Sequence, residues 1–180
     1  YLYPLCKKNT LVSFIPFNIL QIKKNSTLCR FTIYSLLYYY LGRFIMTTEE
    51  RIQRLEDIES IRYLKAKYQR CLDSRDFDGL AECFADDAIS SYGNGSMSYE
   101  GKDNILKFLM KAMSLSMPSA HLIHGGEIDW ISPDFMKAKW YLEDFLLHKV
   151  FLVKLHGAAI YNCEYKKIDG IWKISKILTK

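Results

Sequence analysis

The chain has 180 residues, is 49% hydrophobic and carries a formal net charge of +5 at pH 7. That length predicts one domain with enough chain to bury a core. The excess charge lies in the first quarter, because residues 1–45 contain six basic and no acidic residues while residues 46–180 contain 19 basic and 20 acidic ones. The later part therefore lacks the basic bias expected of a nucleic-acid-binding protein.

Residues 1–45 differ in pattern from the rest of the chain. No helical or strand period persists through them, and their longest apolar run, residues 31–41, is shorter than the ~20 residues that span a bilayer. They also lack the order of basic, apolar and small residues that marks a signal peptide. We expect them to be upstream sequence outside the native protein or a disordered extension, with an interfacial anchor as the alternative. Residues 46–180 are expected to form a domain without membrane contact.

Cysteine and histidine spacings favour neither disulfides nor a metal site. The five cysteines, at positions 6, 29, 71, 83 and 163, form no CxxC pair, and the four histidines show no metal-ligand spacing. This pattern predicts reduced, buried thiols in a cytoplasmic protein. No metal is expected.

Three helices are predicted. Thr47 and Glu50 have capping-box spacing, and the apolar residues that follow at steps of three or four predict an amphipathic helix to about Leu72. A short second helix is predicted from Phe77 to Phe84, and a third from Lys102 to Met113.

The rest of the chain is rich in predicted strands. They are expected at 88–92, 96–99, 121–131, 135–149, 158–167 and 171–178, with a hairpin turn at Gly93-Asn94-Gly95. Helices that precede a long antiparallel meander are typical of the α+β class. A curved, cone-shaped antiparallel sheet wrapped by three helices would enclose a pocket.

Asp144 ends the segment Trp140-Tyr-Leu-Glu-Asp144 on a predicted strand. With the two-residue period of a strand, it shares a face with Ala138, Trp140 and Leu142. A carboxylate on an apolar face is costly unless it is paired, hydrogen-bonded or neutralised. Proteins keep such an unfavourable carboxylate mostly at functional sites, which favours a functional role for Asp144. Alternatively, the strand emerges into solvent at Asp144 and the carboxylate is not buried.

Several segments resemble a known family. Lys67-Tyr-Gln-Arg-Cys-Leu-Asp73 and Leu80-Ala-Glu-Cys-Phe-Ala-Asp-Asp-Ala88 resemble the SnoaL-like branch of the nuclear-transport-factor-2-like superfamily. Within that branch, the chain is similar to bile-acid 7-alpha-dehydratases. That likeness is carried by Tyr68-x4-Asp73, Ser119-Ala-His121, Trp140-Tyr-Leu-Glu-Asp144 and Lys167-Ile-Asp-Gly-Ile-Trp172. The resemblance extends over the chain after Met46 and implies the same α+β fold.

The resemblance implies four catalytic residues: Tyr68, Asp73, His121 and Asp144. An imidazole is well suited to proton transfer near pH 7, and Asp144 is expected to orient His121. Tyr68 would hydrogen-bond an enolate oxygen or a leaving hydroxyl, and Asp73 would supply a complementary proton acceptor or donor. This chemistry needs no cofactor. The sequence differs from the dehydratases in two places. The dehydratases continue past the last strand to an arginine, whereas this sequence ends at Lys180. The stretch between Asp144 and Gly157 is also shorter here.

Each of these residues also has a structural explanation. Tyr68 lies on the apolar stripe of the first helix, where core tyrosines are common, and Asp73 could simply end that helix. Strand alternation favours His124 over His121, unless a bulge at Gly125-Gly126 reverses the parity. Four further side chains are predicted to line the pocket: Tyr92, His124, Trp140 and Tyr161. Ordinary packing explains the two tyrosines equally well, and it explains the tryptophan more readily than a role in the pocket.

The leading hypothesis is a cofactor-independent dehydratase or isomerase that acts on a small hydrophobic substrate, a polycyclic or steroid-like carbonyl compound. A polyketide-type cyclase would use the same acid–base groups. A non-catalytic ligand-binding or dimerisation module is the alternative from another class, because one fold hosts many functions. The open end of the sheet also suggests a homo-oligomer, either a dimer or a trimer.

Overall fold

The structure, a computed structural model, describes residues 46–113, 117–150 and 152–180. The predictions made for residues 1–45 lie outside these ranges. None of the helices within the described ranges is both long enough and apolar enough to cross a bilayer.

The described part of the chain has three α-helices, as the sequence predicts. Helix α1 spans Thr48–Ser74, α2 spans Phe77–Ala81 and α3 spans Lys102–Ala112. Helix α2 is shorter than predicted, because the chain joins the sheet soon after it ends: the carbonyl of Cys83 accepts a hydrogen bond of 2.8 Å from the amide of Ile174.

Within the described ranges, six strands form one sheet. They are β1 (Phe84–Tyr92), β2 (Met97–Glu100), β3 (Ser119–Ser132), β4 (Phe135–His148), β5 (Val153–Ile168) and β6 (Ile171–Thr179). Their order is β2-β1-β6-β5-β4-β3, and every neighbouring pair is antiparallel except β1 and β6, which run parallel. The sheet is curved and unclosed, so the α+β prediction is confirmed, with one parallel pairing that it did not include.

The core lies between α1 and the inner face of the long strands. On β4 the residues Met136, Ala138, Trp140 and Leu142 are buried, while the residues between them are exposed. This alternation follows the two-residue period of a strand. The inner face of β4 therefore points at the helices, and Asp144 is the next residue in that row.

A β-bulge in β3 changes the face on which its residues lie. The register with β4 pairs His124 with Tyr141 but Gly126 with Trp140, so one residue is extra at Gly125. Gly125 has a φ of 46°, which glycine tolerates better than other residues. The bulge that the sequence analysis considered is confirmed, and it places His121 on the inner face before the bulge and Trp130 on that face after it.

The N-terminal half of α1 is fixed to the β5–β6 hairpin by Asp57. This carboxylate is 3% exposed and accepts hydrogen bonds from Lys167 Nζ at 2.5 Å, Trp172 Nε1 at 3.0 Å and Gln53 Nε2 at 3.3 Å. A buried carboxylate is tolerated when it is paired and hydrogen-bonded in this way. The contact sets the position of α1 over the sheet.

Candidate active site

Asp73 and His121 form a hydrogen-bonded pair at the C-terminal end of α1. Asp73 lies in the last turn of the helix, and His121 is the third residue of β3. The Asp73 Oδ1 to His121 Nδ1 distance is 2.6 Å, and the backbone amide of His121 donates to Asp73 Oδ2 at 2.9 Å. Two contacts to one carboxylate fix both the ring and the strand that carries it.

Two neighbouring side chains hold this pair in place. The hydroxyl of Ser119 donates to Asp73 Oδ1 at 2.8 Å. Arg75 follows the helix end with a φ of 61°, and its guanidinium donates to Ser119 Oγ at 3.0 Å, to the carbonyl of Met113 at 3.2 Å and to the carbonyl of Asp73. The loop that precedes β3 is thereby tied to the end of α1.

The electrostatics favour an ionised Asp73. Desolvation by burial raises the pKa of this carboxyl, but the hydrogen bonds from the ring and amide of His121 and from Ser119 outweigh it and lower the pKa below its usual value. An ionised carboxylate accepts the Nδ1 proton, so the neutral imidazole keeps its lone pair on Nε2. The His121 side chain is only 6% exposed. A base of this kind is oriented and largely shielded from water.

Asp144 lies beside the pair without taking the role expected of it. The β3–β4 register places it directly opposite His121, and the β4–β5 register places it opposite Gly157. A side chain at position 157 would collide with the Asp144 carboxylate, so glycine leaves room for it there. From the sequence, Asp144 was expected to orient His121, whereas in the structure Asp73 contacts the Nδ1 atom of that ring. The correction arises because the end of α1 reaches over β3, a long-range contact that strand alternation does not reveal.

Tyr68, Tyr92 and Tyr161 lie deeper between α1 and the sheet. The hydroxyls of Tyr68 and Tyr92 are buried and have no partner in hydrogen-bond geometry, although they are close enough to affect each other electrostatically. Desolvation raises the pKa of Tyr68 well above its usual value and that of Tyr92 to about 12. Both phenols therefore keep their protons at neutral pH and can donate hydrogen bonds.

Two other predicted pocket residues have different surroundings. Trp140 is 5% exposed, and its Nε1 donates to the Tyr165 hydroxyl at 3.1 Å, so it is a packed part of the inner wall. His124 lies on the outer face, with a side chain 58% exposed and 3.6 Å from Glu143. Contrary to expectation it lies on the opposite face of the sheet from His121, because it precedes the bulge and has the opposite parity to His121.

Three polar side chains were not predicted from the sequence: Arg75, which follows the end of α1, and Lys65 and Gln69, which lie earlier on that helix. Lys65 and Gln69 are buried on the face of α1 that carries Tyr68. Lys65 could have been predicted to be buried, because helix positions three or four residues apart share a face and this lysine lies within the apolar stripe of α1. Arg75 had no such signal, since its partners lie 38 to 44 residues away in the sequence apart from the nearby carbonyl of Asp73.

Comparisons with known proteins agree with this architecture. Residues 53–177 match the family model of the SnoaL-like domain. A proposed scytalone dehydratase from Novosphingobium aromaticivorans superposes with a TM-score of 0.68 at 19% identity, over 72% of this chain and 87% of that one. Hexachlorocyclohexane dehydrochlorinase LinA-type3 from Novosphingobium barchaimii gives 0.66 at 22% identity, over 72% and 89%. ActVI-ORFA from Streptomyces coelicolor gives 0.58 at 15% identity, over 68% and 95%. At these identities the likeness to the solved structures is one of fold.

Proposed function

Because the chain belongs to the SnoaL-like domain family, we propose that it is a cofactor-independent lyase that eliminates water from a hydrophobic polycyclic or steroid-like carbonyl compound. The observation that carries this proposal is the 2.6 Å contact between His121 Nδ1 and Asp73 Oδ1 on the inner face of the sheet. Two of the similar structures carry names that denote eliminations, a dehydratase and a dehydrochlorinase. The resemblance of the site motifs to bile-acid 7-alpha-dehydratases supports the steroid-like substrate.

The first step of the proposed reaction is removal of a carbon-bound proton beside the substrate carbonyl. His121 accepts the proton on Nε2, and Asp73 stabilises the imidazolium through Nδ1. Positioned acid–base catalysis of this kind contributes a factor of ~10²–10⁴. The hydroxyl of Tyr68, which keeps its proton at neutral pH, donates to the oxygen on which negative charge develops.

The second step is departure of the hydroxyl group with a proton. The imidazolium of His121 can return the proton that it received, so that water leaves and the carbon–carbon double bond forms. Asp144, directly across from His121 in the register, is the second candidate proton donor. The roles that the sequence analysis gave to the two aspartates are therefore exchanged in this mechanism. A ring-closing cyclase would use the same groups and is the other catalytic outcome.

The proposal is tested by incubating the full chain with a panel of hydroxy-ketosteroids and following new conjugated absorbance. Wild type is expected to convert at least one compound, and His121→Ala to lose at least ~10²-fold in turnover, because the base is removed. His156→Ala is the matched control, since His156 lies on the outer face with a side chain 59% exposed.

Undiminished turnover by His121→Ala would exclude the mechanism. If no compound is converted but calorimetry shows tight binding of an apolar ligand, the protein is a binding module and the lyase proposal fails.

A further inference from the structure

Lys65 is a fully buried amine that the proposed reaction does not use. It lies on α1 one turn before Tyr68 and is 0% exposed. Its Nζ atom is 3.6 Å from the ring centroid of Tyr161, 4.7 Å from that of Tyr68 and 4.0 Å from Cys163 Sγ. Two aromatic faces and a thiol therefore surround the amine.

The position of this amine is energetically unusual. Every Asp and Glu of the chain lies within the described ranges, and none of them forms an ion pair with Lys65. An unpaired buried ammonium is costly, so such a lysine tends to lose its proton. Desolvation by burial accordingly lowers the pKa of Lys65. By contrast, Lys67 on the same helix is paired with Glu82 at 2.6 Å.

Lys65 lies among buried polar side chains, several of which have unused hydrogen-bonding capacity. We name Lys65, Tyr68, Gln69, Tyr92 and Tyr161 the interior polar cluster. Neither atom of the Gln69 amide nor the hydroxyls of Tyr68 and Tyr92 have a partner, and Gln69 lies close to the Tyr161 hydroxyl. A buried polar group without a hydrogen-bond partner destabilises the fold. Several such groups around one amine indicate a place where a polar ligand supplies the partners.

We propose that Lys65 binds a weakly acidic hydroxyl of the substrate, a phenol or an enol, and takes its proton. The ligand O–H bond breaks, an N–H bond forms on Nζ, and the products are an oxyanion and an ammonium held next to each other. The faces of Tyr161 and Tyr68 stabilise the ammonium by cation–π attraction, and the unpartnered Gln69 amide and Tyr92 hydroxyl donate hydrogen bonds to the oxyanion. A carboxylate suits this site less well, because it enters already charged and must lose its full hydration.

This inference rests on the proposed function, because it assigns the far end of the same substrate. Lys65 and Asp73 are eight residues apart on α1, which corresponds to about 12 Å along the helix axis. A molecule that reaches both must be extended, as a fused polycyclic compound is. The substrate class is therefore a polycycle with its reacting carbonyl and hydroxyl near His121 and an acidic hydroxyl at the opposite end.

The test uses 2-naphthol, a fused phenol whose absorbance changes on ionisation. It is added to the full chain at pH 7, well below the ordinary phenol pKa of about 10. Wild type is expected to show the naphtholate band, although free 2-naphthol is neutral at this pH. This first result is obtained with wild type alone and requires no variant. Lys65→Met should bind it about 10- to 100-fold more weakly and without the band, because a charge-assisted hydrogen bond is lost. Lys67→Met, the control, should behave as wild type.

Two measurements separate this inference from folding and from turnover. Lys65→Met is expected to unfold at a higher temperature than wild type, because an unpaired buried amine is replaced by an apolar side chain of similar size. His121→Ala should keep the naphtholate band, since the band requires no turnover. Binding of neutral naphthol by wild type, no binding at all, or an unchanged band in Lys65→Met would each overturn the role of Lys65. A retained band without steroid turnover would reject only the lyase proposal.

Discussion

His121 and Asp73 show how two residues of ordinary type become a candidate acid–base pair. Neither alone is unusual, but burial of the ring and two hydrogen bonds to one carboxylate fix the tautomer. The geometry predicts that Asp73 contributes more to proton transfer than Asp144, because Asp73 contacts the imidazole ring.

Replacing Asp73 by Asn is expected to lower turnover by ~10²-fold or more. The amide can present a donor instead of an acceptor to Nδ1 and carries no charge to stabilise the imidazolium. Asp144→Asn should have a smaller effect, because Asp144 does not hold the Nδ1 proton. The measurement is kcat on any hydroxy-ketosteroid that the wild type converts, and a larger loss in Asp144→Asn than in Asp73→Asn would contradict this assignment.

Among the secondary-structure elements, strand alternation was the most informative sequence signal. It placed Asp144 on the inner face of β4, and the β3–β4 register puts it opposite His121. The parity of β3 could not be decided from the sequence, because a bulge reverses it and glycine pairs occur in strands with and without bulges. The start of β1 at Phe84 was also not predicted. The first residues of this strand pair in parallel with β6, about 90 residues later in the chain, and a local pattern does not reveal such a contact.

Helix α1 and the β5–β6 hairpin are held together by Asp57, which makes this contact a test of the fold. Desolvation raises the pKa of Asp57, but hydrogen bonds from Lys167 and Trp172 outweigh it and lower the pKa. Asp57→Asn is expected to reduce the free energy of unfolding by about 2 kcal/mol, because a charge-assisted buried network is weakened. Asp86→Asn is the control, since Asp86 is 92% exposed in its pair with Lys102.

The same contact gives a pH dependence of known sign. A carboxyl whose pKa is lower in the folded state stabilises the protein fully above its unfolded value of about 3.8 and loses that contribution as the pH falls through the folded pKa. Wild type should therefore lose stability more steeply than Asp57→Asn in urea titrations as the pH falls below about 4. Parallel curves for the two proteins would contradict this, because they would show that the pKa of Asp57 does not differ between the folded and unfolded states.

At the scale of the whole molecule, the outer face of β3–β5 remains to be accounted for. It exposes Leu122, Tyr141, Phe145 and Ile160, with exposed fractions of 38–61%, around a Glu143 that contacts His124 and His156. Exposed apolar patches of this kind commonly mark interfaces. The homo-oligomer predicted from the sequence would bury this face, because its apolar side chains lose contact with water when a second copy covers them.

Light scattering on the purified chain tests this assembly. Wild type is expected to be an oligomer, as the sequence analysis predicted, and Tyr141→Lys to be a monomer because a charge is placed in the apolar contact. Tyr63→Lys is the control: Tyr63 is 71% exposed but lies on α1. A monomeric wild type, or an unchanged oligomer in Tyr141→Lys, would contradict the interface.

The proposed reaction mechanism depends on which carboxylate holds the imidazole of His121. The most direct measurement is the ¹⁵N–¹H NMR spectrum of the histidine ring in the labelled full chain. The structure predicts a protected proton on Nδ1 that persists in Asp144→Asn and is lost or exchanges rapidly in Asp73→Asn. A proton resident on Nε2, or a signal that vanishes in Asp144→Asn and survives in Asp73→Asn, would contradict the Asp73–His121 pair and the reaction built on it.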